Sequence, residues 1–360
     1  MTAAHAPLAR RHRVAVLGAT GAVGQAFIRM LADHPWFELT EVAASERSAG
    51  KTYREAAHWI GSGEMPARVG EMVVRACDPA AISADIVFSA LDSPVAADAE
   101  PAFASAGKMV LTNAKNYRME TDVPLVIAEV NPSHLHVIDA QRRNRGWRGA
   151  IVANGNCASI VAALPLAPIH ERFGIAKLVL MTMQAVSGAG YPGVASLDIL
   201  GNVIPFIRDE EPKIEVEIQK FLGRVGGEKI ESAGFPVSAH ANRVAVEHGH
   251  TVCMSIELVT KADAADVEQA IADWRGAPDA HGLPSAPDRP IIVADQPDHP
   301  QPRRQVDTGG GMTVVVGRVR SDPVLDVKLV AMGHNVIRGA AGASVLNAEL
   351  MVRCGLLTVP

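Results

Sequence analysis

The chain has 360 residues and a formal net charge of -5, with 48% hydrophobic, 20% charged and 4% aromatic residues. That balance excludes a disordered or fibrous chain, and it supplies no basic surface of the kind nucleic acid requires. No apolar run reaches the ~18 residues a membrane helix needs, and the length favours two linked cores over one.

In chain order, residues 1–11 read as a loose tail, with no signal-peptide core behind Arg10, Arg11 and Arg13. Arg13–Leu17 reads as a buried strand, Gly18–Gly24 as a glycine turn, and Gln25–Leu31 as an apolar-faced helix. Strand, glycine turn and helix open a dinucleotide-binding unit. Further strands are expected at Phe37–Ala44, Ile86–Ala90, Lys108–Thr112 and Leu125–Ala128, with a helix over Ser93–Ala106. Short Val/Ile-rich strands alternating with helices predict a parallel sheet covered on both faces. Arg142, Arg143, Arg145 and Arg148 read as a solvated loop.

The texture changes after about residue 156. A helix is expected over Ala158–Ile169, and strands over Lys177–Val186, Val244–Val246, Thr251–Val259, Met312–Val319 and Asp326–Val330, the last two as a hairpin. A mixed or antiparallel sheet with helices on one face fits this half. Residues 275–305, rich in Pro, Asp and His, read as an extended surface loop of low local order, and Arg338–Cys354 as a last apolar helix that returns to the first domain.

The fold class is therefore α/β: an N-terminal Rossmann-like dinucleotide-binding domain over 1–156 and a second α+β catalytic and oligomerisation domain of mixed sheet over 157–335. A C-terminal segment over 336–360 completes the first domain.

The turn Gly18-x-x-Gly21-x-x-Gly24 lets backbone approach a pyrophosphate at a helix N-terminus. Thr20, Ala22 and Val23 complete that cofactor-binding stretch. After the second strand, Ser45, Arg47 and Ser48 suit the 2'-phosphate of NADP, whereas Glu46 could compete for a ribose. NADP is the expected cofactor.

Cys77, Cys157, Cys253 and Cys354 are widely spaced and form no CxxC pair, which argues against a zinc site, a disulfide scaffold or any metal centre. A cytoplasm-like reducing compartment is expected. Cys157 falls at the start of an apolar helix, where the helix dipole should lower a thiol's pKa. An isolated cysteine is otherwise often a small buried residue. Arg243 and His250, spaced around a short strand and turn, add a cation and a candidate acid–base group. His248 lacks such context.

Taken together, GATGAVG at 18–24, SERSAGK at 45–51, NAKNYR at 113–118, NGNCAS at 154–159, QAVSGAG at 184–190, EEPK at 210–213, NRVAVEHGH at 242–250 and GHNVIRGAAGASVLNAEL at 333–350 resemble the aspartate-semialdehyde dehydrogenase family, in its archaeal and fungal branch. The resemblance implies a Cys157 nucleophile, a His250 acid–base group and a Gln184 that positions the acyl group. It implies that Arg243 grips the substrate carboxylate, Glu210 faces its ammonium, and Arg118 and Lys213 bind phosphate, with Asn156 contributing beside the nucleophile. Ser89, Gly188 and Asn335 carry over as further cofactor contacts. The implied reaction reduces an aspartyl phosphate to the semialdehyde in a homodimer or homotetramer, with neither nucleic acid nor membrane as partner.

Two departures stand out. Gly155 and Ser159 replace the family's frequent Ser and Thr, and Ala245–His248 replaces a stretch where Pro and Asp are common. Rival readings are a malonyl-CoA reductase, an N-acetyl-glutamyl-phosphate reductase and a regulatory protein that keeps the nucleotide domain. Glu210 with Arg243 favours an amino acid substrate, since malonyl-CoA brings no ammonium.

Overall fold

The computed structural model describes residues 10–61 and 63–357. Most of the expected tail, residues 1–9, and the end of the C-terminal segment, residues 358–360, lie outside the described residues.

The first sheet contains β1 (His12–Leu17), β2 (Phe37–Ala44), β3 (Arg75–Ala76), β4 (Ile86–Ser89), β5 (Met109–Thr112) and β6 (Ala150–Ala153). All pairings are parallel, in the order β3-β2-β1-β4-β5-β6. Strand order reverses between β1 and β4, and such a switch point opens a crevice at the C-terminal ends of the strands. Alternation along β1 feeds two cores: Val14 and Val16 join one, Ala15 and Leu17 the other.

The second sheet contains β7 (Ile175–Gln184), β10 (Val237–Arg243), β11 (His250–Leu258), β12 (Ile291–Ala294), β13 (Val314–Ser321) and β14 (Val327–Gly333), in the order β10-β7-β11-β14-β13-β12. It is mixed: β10–β7 and β12–β13 run parallel, the other pairs antiparallel. Between its strands, β8 (Arg224–Gly226) and β9 (Lys229–Glu231) form a separate two-stranded ribbon. The Cys157–Phe173 helix lies buried between the halves, and its apolar side chains share a core with both sheets. The opposite face of the second sheet is open: on β7, Val179 and Met181 are 46% and 47% exposed.

Four expectations need correction. Leu125–Ala128 makes only a single bridge to Ala153, because the Asn131 side chain takes the Ile127 N–H and the Leu125 carbonyl. The sixth strand is instead Ala150–Ala153, a run too short to stand out. Arg142, Arg143 and Arg145 sit on a helix, Ile138–Arg145, closed by Gly146 at φ 65°, and they pair with Asp139, Glu228 and Asp122. Val244–Val246 is a connection, and the strand before it is Val237–Arg243. Residues 275–305 are ordered: Ile291–Ala294 adds an edge strand, and the Ser285 N–H is held by Glu349. The β-branched run Ile291-Ile292-Val293 carries that strand despite the polar residues around it.

A π-helical turn, Ile337–Ala341, precedes the last helix, Gly342–Arg353. That turn packs on both the Ala22–Leu31 and the Cys157–Phe173 helices. Arg338, fully buried within it, donates from Nη1 and Nη2 to the two carboxylate oxygens of Glu129, each at 2.7 Å. Among the described residues, no helix is long and apolar enough to cross a membrane.

Candidate active site

Cys157 stands where β6 hands over to its helix. Asn156 caps that helix: its Oδ1 accepts from the Ala158 and Ser159 backbone N–H groups at 2.9 and 3.1 Å. Ser159 Oγ also reaches Asn156 Oδ1, at 3.4 Å, so the hydroxyl kept at this position joins the cap. Gly155 has its own reason. A Cβ there would collide with the Phe221 ring, so the glycine lets the turn pack against that neighbour.

Sheet register gathers the remaining groups at one edge. Gln184 ends β7 opposite Arg243 at the end of β10. His250 starts β11 opposite Gly333 at the end of β14. His250 is fully buried, and its Nε2 lies 3.0 Å from Cys157 Sγ. Arg243 is anchored by donation from Nη1 to the Ala185 carbonyl at 2.7 Å. A Cβ on Gly188 would come within 3.0 Å of Arg243 Nη1 and 3.1 Å of His250 Cε1, so the glycine keeps the space beside both side chains open.

The Glu210–Phe221 helix supplies the carboxylates. Glu210 accepts from Asn156 Nδ2 at 2.6 Å, Gln184 Nε2 at 3.1 Å and Lys213 Nζ at 3.2 Å. Glu217, seven residues on, accepts from the Asn156 backbone N–H at 2.5 Å and from Arg118 Nη1 at 2.9 Å. Arg118 also donates to the Asn113 carbonyl at 2.6 Å. The expected substrate-binding set, Arg118, Asn156, Glu210, Lys213 and Arg243, thus converges on the cysteine turn.

Sequence reasoning missed Glu217 and Gly339. The signal for Glu217 was its helical spacing from Glu210, which puts both carboxylates on one face. For Gly339 there was none: only tertiary packing shows that a Cβ there would sit 2.5 Å from Cys157 Cβ. His248 has more context than its sequence suggested: its Nδ1 lies 2.9 Å from Ser187 Oγ, and its ring stacks on His334 at 4.9 Å.

The expected cofactor residues fall in two groups. Gly18, Thr20, Gly21, Ala22, Val23 and Gly24 form the turn after β1 and the start of the Ala22–Leu31 helix. Gly18 has φ 67°, and a Cβ on Gly24 would strike the Gly18 carbonyl oxygen, so both glycines are required for this turn. Gly21 caps the helix without a side chain, which leaves its first N–H groups without a side-chain cap. Ser45, Arg47 and Ser48 follow β2, with Arg47 exposed, and Ser89 ends β4 with Oγ donating to Glu100 at 2.7 Å. Gly188 and Asn335 lie apart from these, beside the His250 end of the second sheet. Asn335 Oδ1 accepts from Gly249 N at 2.9 Å and its Nδ2 donates to Ser187 Oγ at 2.8 Å, so it braces the approach to His250.

The expected lowering of the cysteine pKa is overturned. Burial pushes the Cys157 thiol up, to about 12, and the Glu210 carboxylate adds to this. Arg118, Arg243 and the Ala158 N–H oppose without prevailing. Desolvation outweighs the helix terminus because it penalises the whole thiolate charge, whereas a helix terminus offers about half a charge. His250 is pushed down, to about 3, by burial and then by Arg243 and His334. Both shifts disfavour the charged forms of the pair.

Removing the Glu210 charge should ease ionisation of the thiol. In Glu210→Gln, the pH midpoint of Cys157 alkylation by iodoacetamide should fall, and Arg243→Met should raise it. A midpoint that rises in Glu210→Gln would contradict this electrostatic account.

Comparisons with known proteins agree along the whole chain. The family described as "Semialdehyde dehydrogenase, NAD binding domain" matches residues 13–138, and "Semialdehyde dehydrogenase, dimerisation domain" matches 166–338. An aspartate-semialdehyde dehydrogenase of Archaeoglobus fulgidus is 50% identical over 95% of this chain and 98% of its own. One of Methanothermobacter thermautotrophicus is 51% identical over 94% and 98%. The crystal structure of the Candida albicans aspartate semialdehyde dehydrogenase with NADP superposes with a TM-score of 0.89 at 42% identity, covering 97% of this chain and 100% of that one.

Proposed function

The chain belongs to the aspartate-semialdehyde dehydrogenase family, and from that membership we propose that it reduces L-4-aspartyl phosphate to L-aspartate 4-semialdehyde, reversibly, through a thioester on Cys157. The observation that carries this reading is the 3.0 Å contact between Cys157 Sγ and His250 Nε2 at a helix start, with Arg243 and Glu210 beside it. As thiolate, Cys157 attacks the acyl phosphate and phosphate departs. Arg118 and Lys213 supply positive charge for that leaving group, and Arg243 suits a bidentate grip on the α-carboxylate. Glu210 already holds three donors, and its remaining acceptor capacity can take the substrate ammonium.

NADPH, when bound, supplies the hydride. The fit of this chain to it rests on the turn after β1, where a Cβ on Gly24 would close the space and the uncapped helix start offers N–H groups to a pyrophosphate. Ser45, Arg47 and Ser48 at the end of β2 support NADP over NAD. Arg47→Ala should weaken NADPH by about 10- to 100-fold, the value of a charge-assisted hydrogen bond, and NADH far less, in fluorescence titrations. Equal losses for both cofactors would remove Arg47 from the 2'-phosphate site.

The amino acid identity of the substrate is tested through Glu210. Glu210→Gln should lower kcat/KM for aspartate semialdehyde by about 10- to 100-fold. An analogue without the amino group should be poor for wild type and should lose little more in the variant. If the analogue reacts as well as aspartate semialdehyde in wild type, or malonyl-CoA is reduced at comparable kcat/KM, a different acyl donor is the substrate.

The exposed face of the second sheet, bearing Val179 and Met181, supports pairing of two copies through residues 157–335. Val179→Glu with Met181→Glu should shift the solution mass measured by light scattering towards the monomer. An unchanged mass would place the contact elsewhere.

A further inference from the structure

We propose that Lys220 is a positioning residue for phosphate: it fixes the backbone of the loop that carries Arg118, and so sets where that guanidinium meets the phosphoryl group. This rests on the reading above, in which Arg118 binds phosphate.

Between the end of β5 at Thr112 and the bridge at Leu125, the chain forms neither helix nor strand. Its carbonyls lack the partners that regular structure provides, and inside a protein each still needs a donor. Lys220 supplies three. Its Nζ donates to the carbonyls of Arg118 at 2.6 Å, Glu120 at 2.7 Å and Val123 at 2.8 Å. An ammonium carries three protons, so this one is fully engaged. Lys220 is only 3% exposed. The acidic side chains of the same stretch turn to a different cation. Asp122 and Glu120 accept from Arg145 Nη2 at 2.6 and 3.3 Å. Main chain and side chains of the loop thus have separate anchors.

Lys220 follows Glu217 by three residues on the Glu210–Phe221 helix, and that spacing puts them on one face. Glu217 accepts from Arg118 Nη1 at 2.9 Å, and the Asn113 carbonyl accepts from Nη2 at 2.6 Å. One helix therefore holds Arg118 at both ends, the guanidinium through Glu217 and the carbonyl through Lys220. Arg118 Nε is buried without a hydrogen-bond partner, which leaves a donor for an arriving anion. Moving the root of this side chain moves its fork, and a misplacement of about 1 Å can cost on the order of 100-fold in rate.

A buried charge points to more than filling space. Burial pushes the Lys220 ammonium down, to about 8, against the pull of Asp122, Glu120 and Glu217. An apolar side chain of similar volume fills a cavity without that cost. What it cannot do is gather three carbonyls onto one point. That convergence fixes the curve of the chain from Arg118 to Val123.

The test uses the full-length protein in the oxidative direction, where inorganic phosphate is a free substrate. Lys220→Met keeps the length of the side chain and removes its donors. We expect KM for phosphate to rise about 10- to 100-fold, the loss of a charge-assisted contact. KM for aspartate semialdehyde should stay within about twofold of wild type. Lys220→Gln, which retains two donors, should show a smaller rise, and it carries the test if Lys220→Met does not fold. An unchanged phosphate KM overturns the proposal, and so does an equal rise for both substrates, the mark of a general structural defect. In an Arg118→Met background, Lys220→Met should add little, because both changes act on one contact. Additive losses overturn the proposal. Binding of inorganic phosphate to the ligand-free protein, read by phosphorus-31 line width, separates this role from the identity of the acyl substrate. If wild type binds phosphate and Lys220→Met weakens that binding, the role of Lys220 stands even where aspartate semialdehyde is no substrate. If wild type binds no phosphate, or Arg118→Met binds it as tightly as wild type, the proposal falls.

Discussion

The start of the Cys157 helix is the constraint on which the site depends. A helix N-terminus inside a protein carries N–H groups that must find acceptors. Here Asn156 serves two of them through its side chain and gives its own N–H to Glu217. Glu217 in turn holds Arg118, and Glu210, on the same helix face, ties Asn156 to Gln184 and Lys213. The carboxylates thus orient the nucleophile's turn and position the cations and amides around it. Of the expected substrate-binding side chains, Arg118, Asn156, Glu210 and Lys213 belong to this network, and Arg243 is held beside it by the Ala185 carbonyl.

Burial is the main reason the thiol resists ionisation at rest, and the network adds to it. The carboxylate that organises the site opposes a second negative charge nearby, and Arg118 is already engaged with Glu217. An anionic substrate that draws Arg118 and Lys213 towards itself changes that balance.

Much of this was legible in the sequence, for different reasons in each part. The glycine turn and the first strands could be read because backbone requirement and hydrophobic alternation are local signals. Cys157, Arg243 and His250 could be singled out by chemistry, and the family motifs joined them to Gln184 and Glu210. The sixth strand and Val237–Arg243 escaped: one is a run of four residues, and the other, Val-Ser-Ala-His-Ala-Asn-Arg, is pleated but nearly without large apolar side chains. The direction of the cysteine shift was misread because a helix start is visible in sequence whereas the depth of burial is not. Gly339 was unreadable for the same reason, since its neighbour lies 182 residues away by the numbering, at Cys157.

The packing of Gly155 against Phe221 and Glu217 bears on how this scaffold can be recombined. A Cβ at 155 would clash with the Phe221 ring and come within 3.2 Å of Glu217 Oε2. The nucleophile loop and the 210–221 helix are therefore one module, although more than fifty residues of chain separate them. A chimera that imported a relative's serine-bearing loop alone would push the aromatic ring outward and drag the carboxylate pair with it. Crossover points that respect this module fall before residue 154 and after residue 221, so that the loop and its supporting helix are inherited from the same parent.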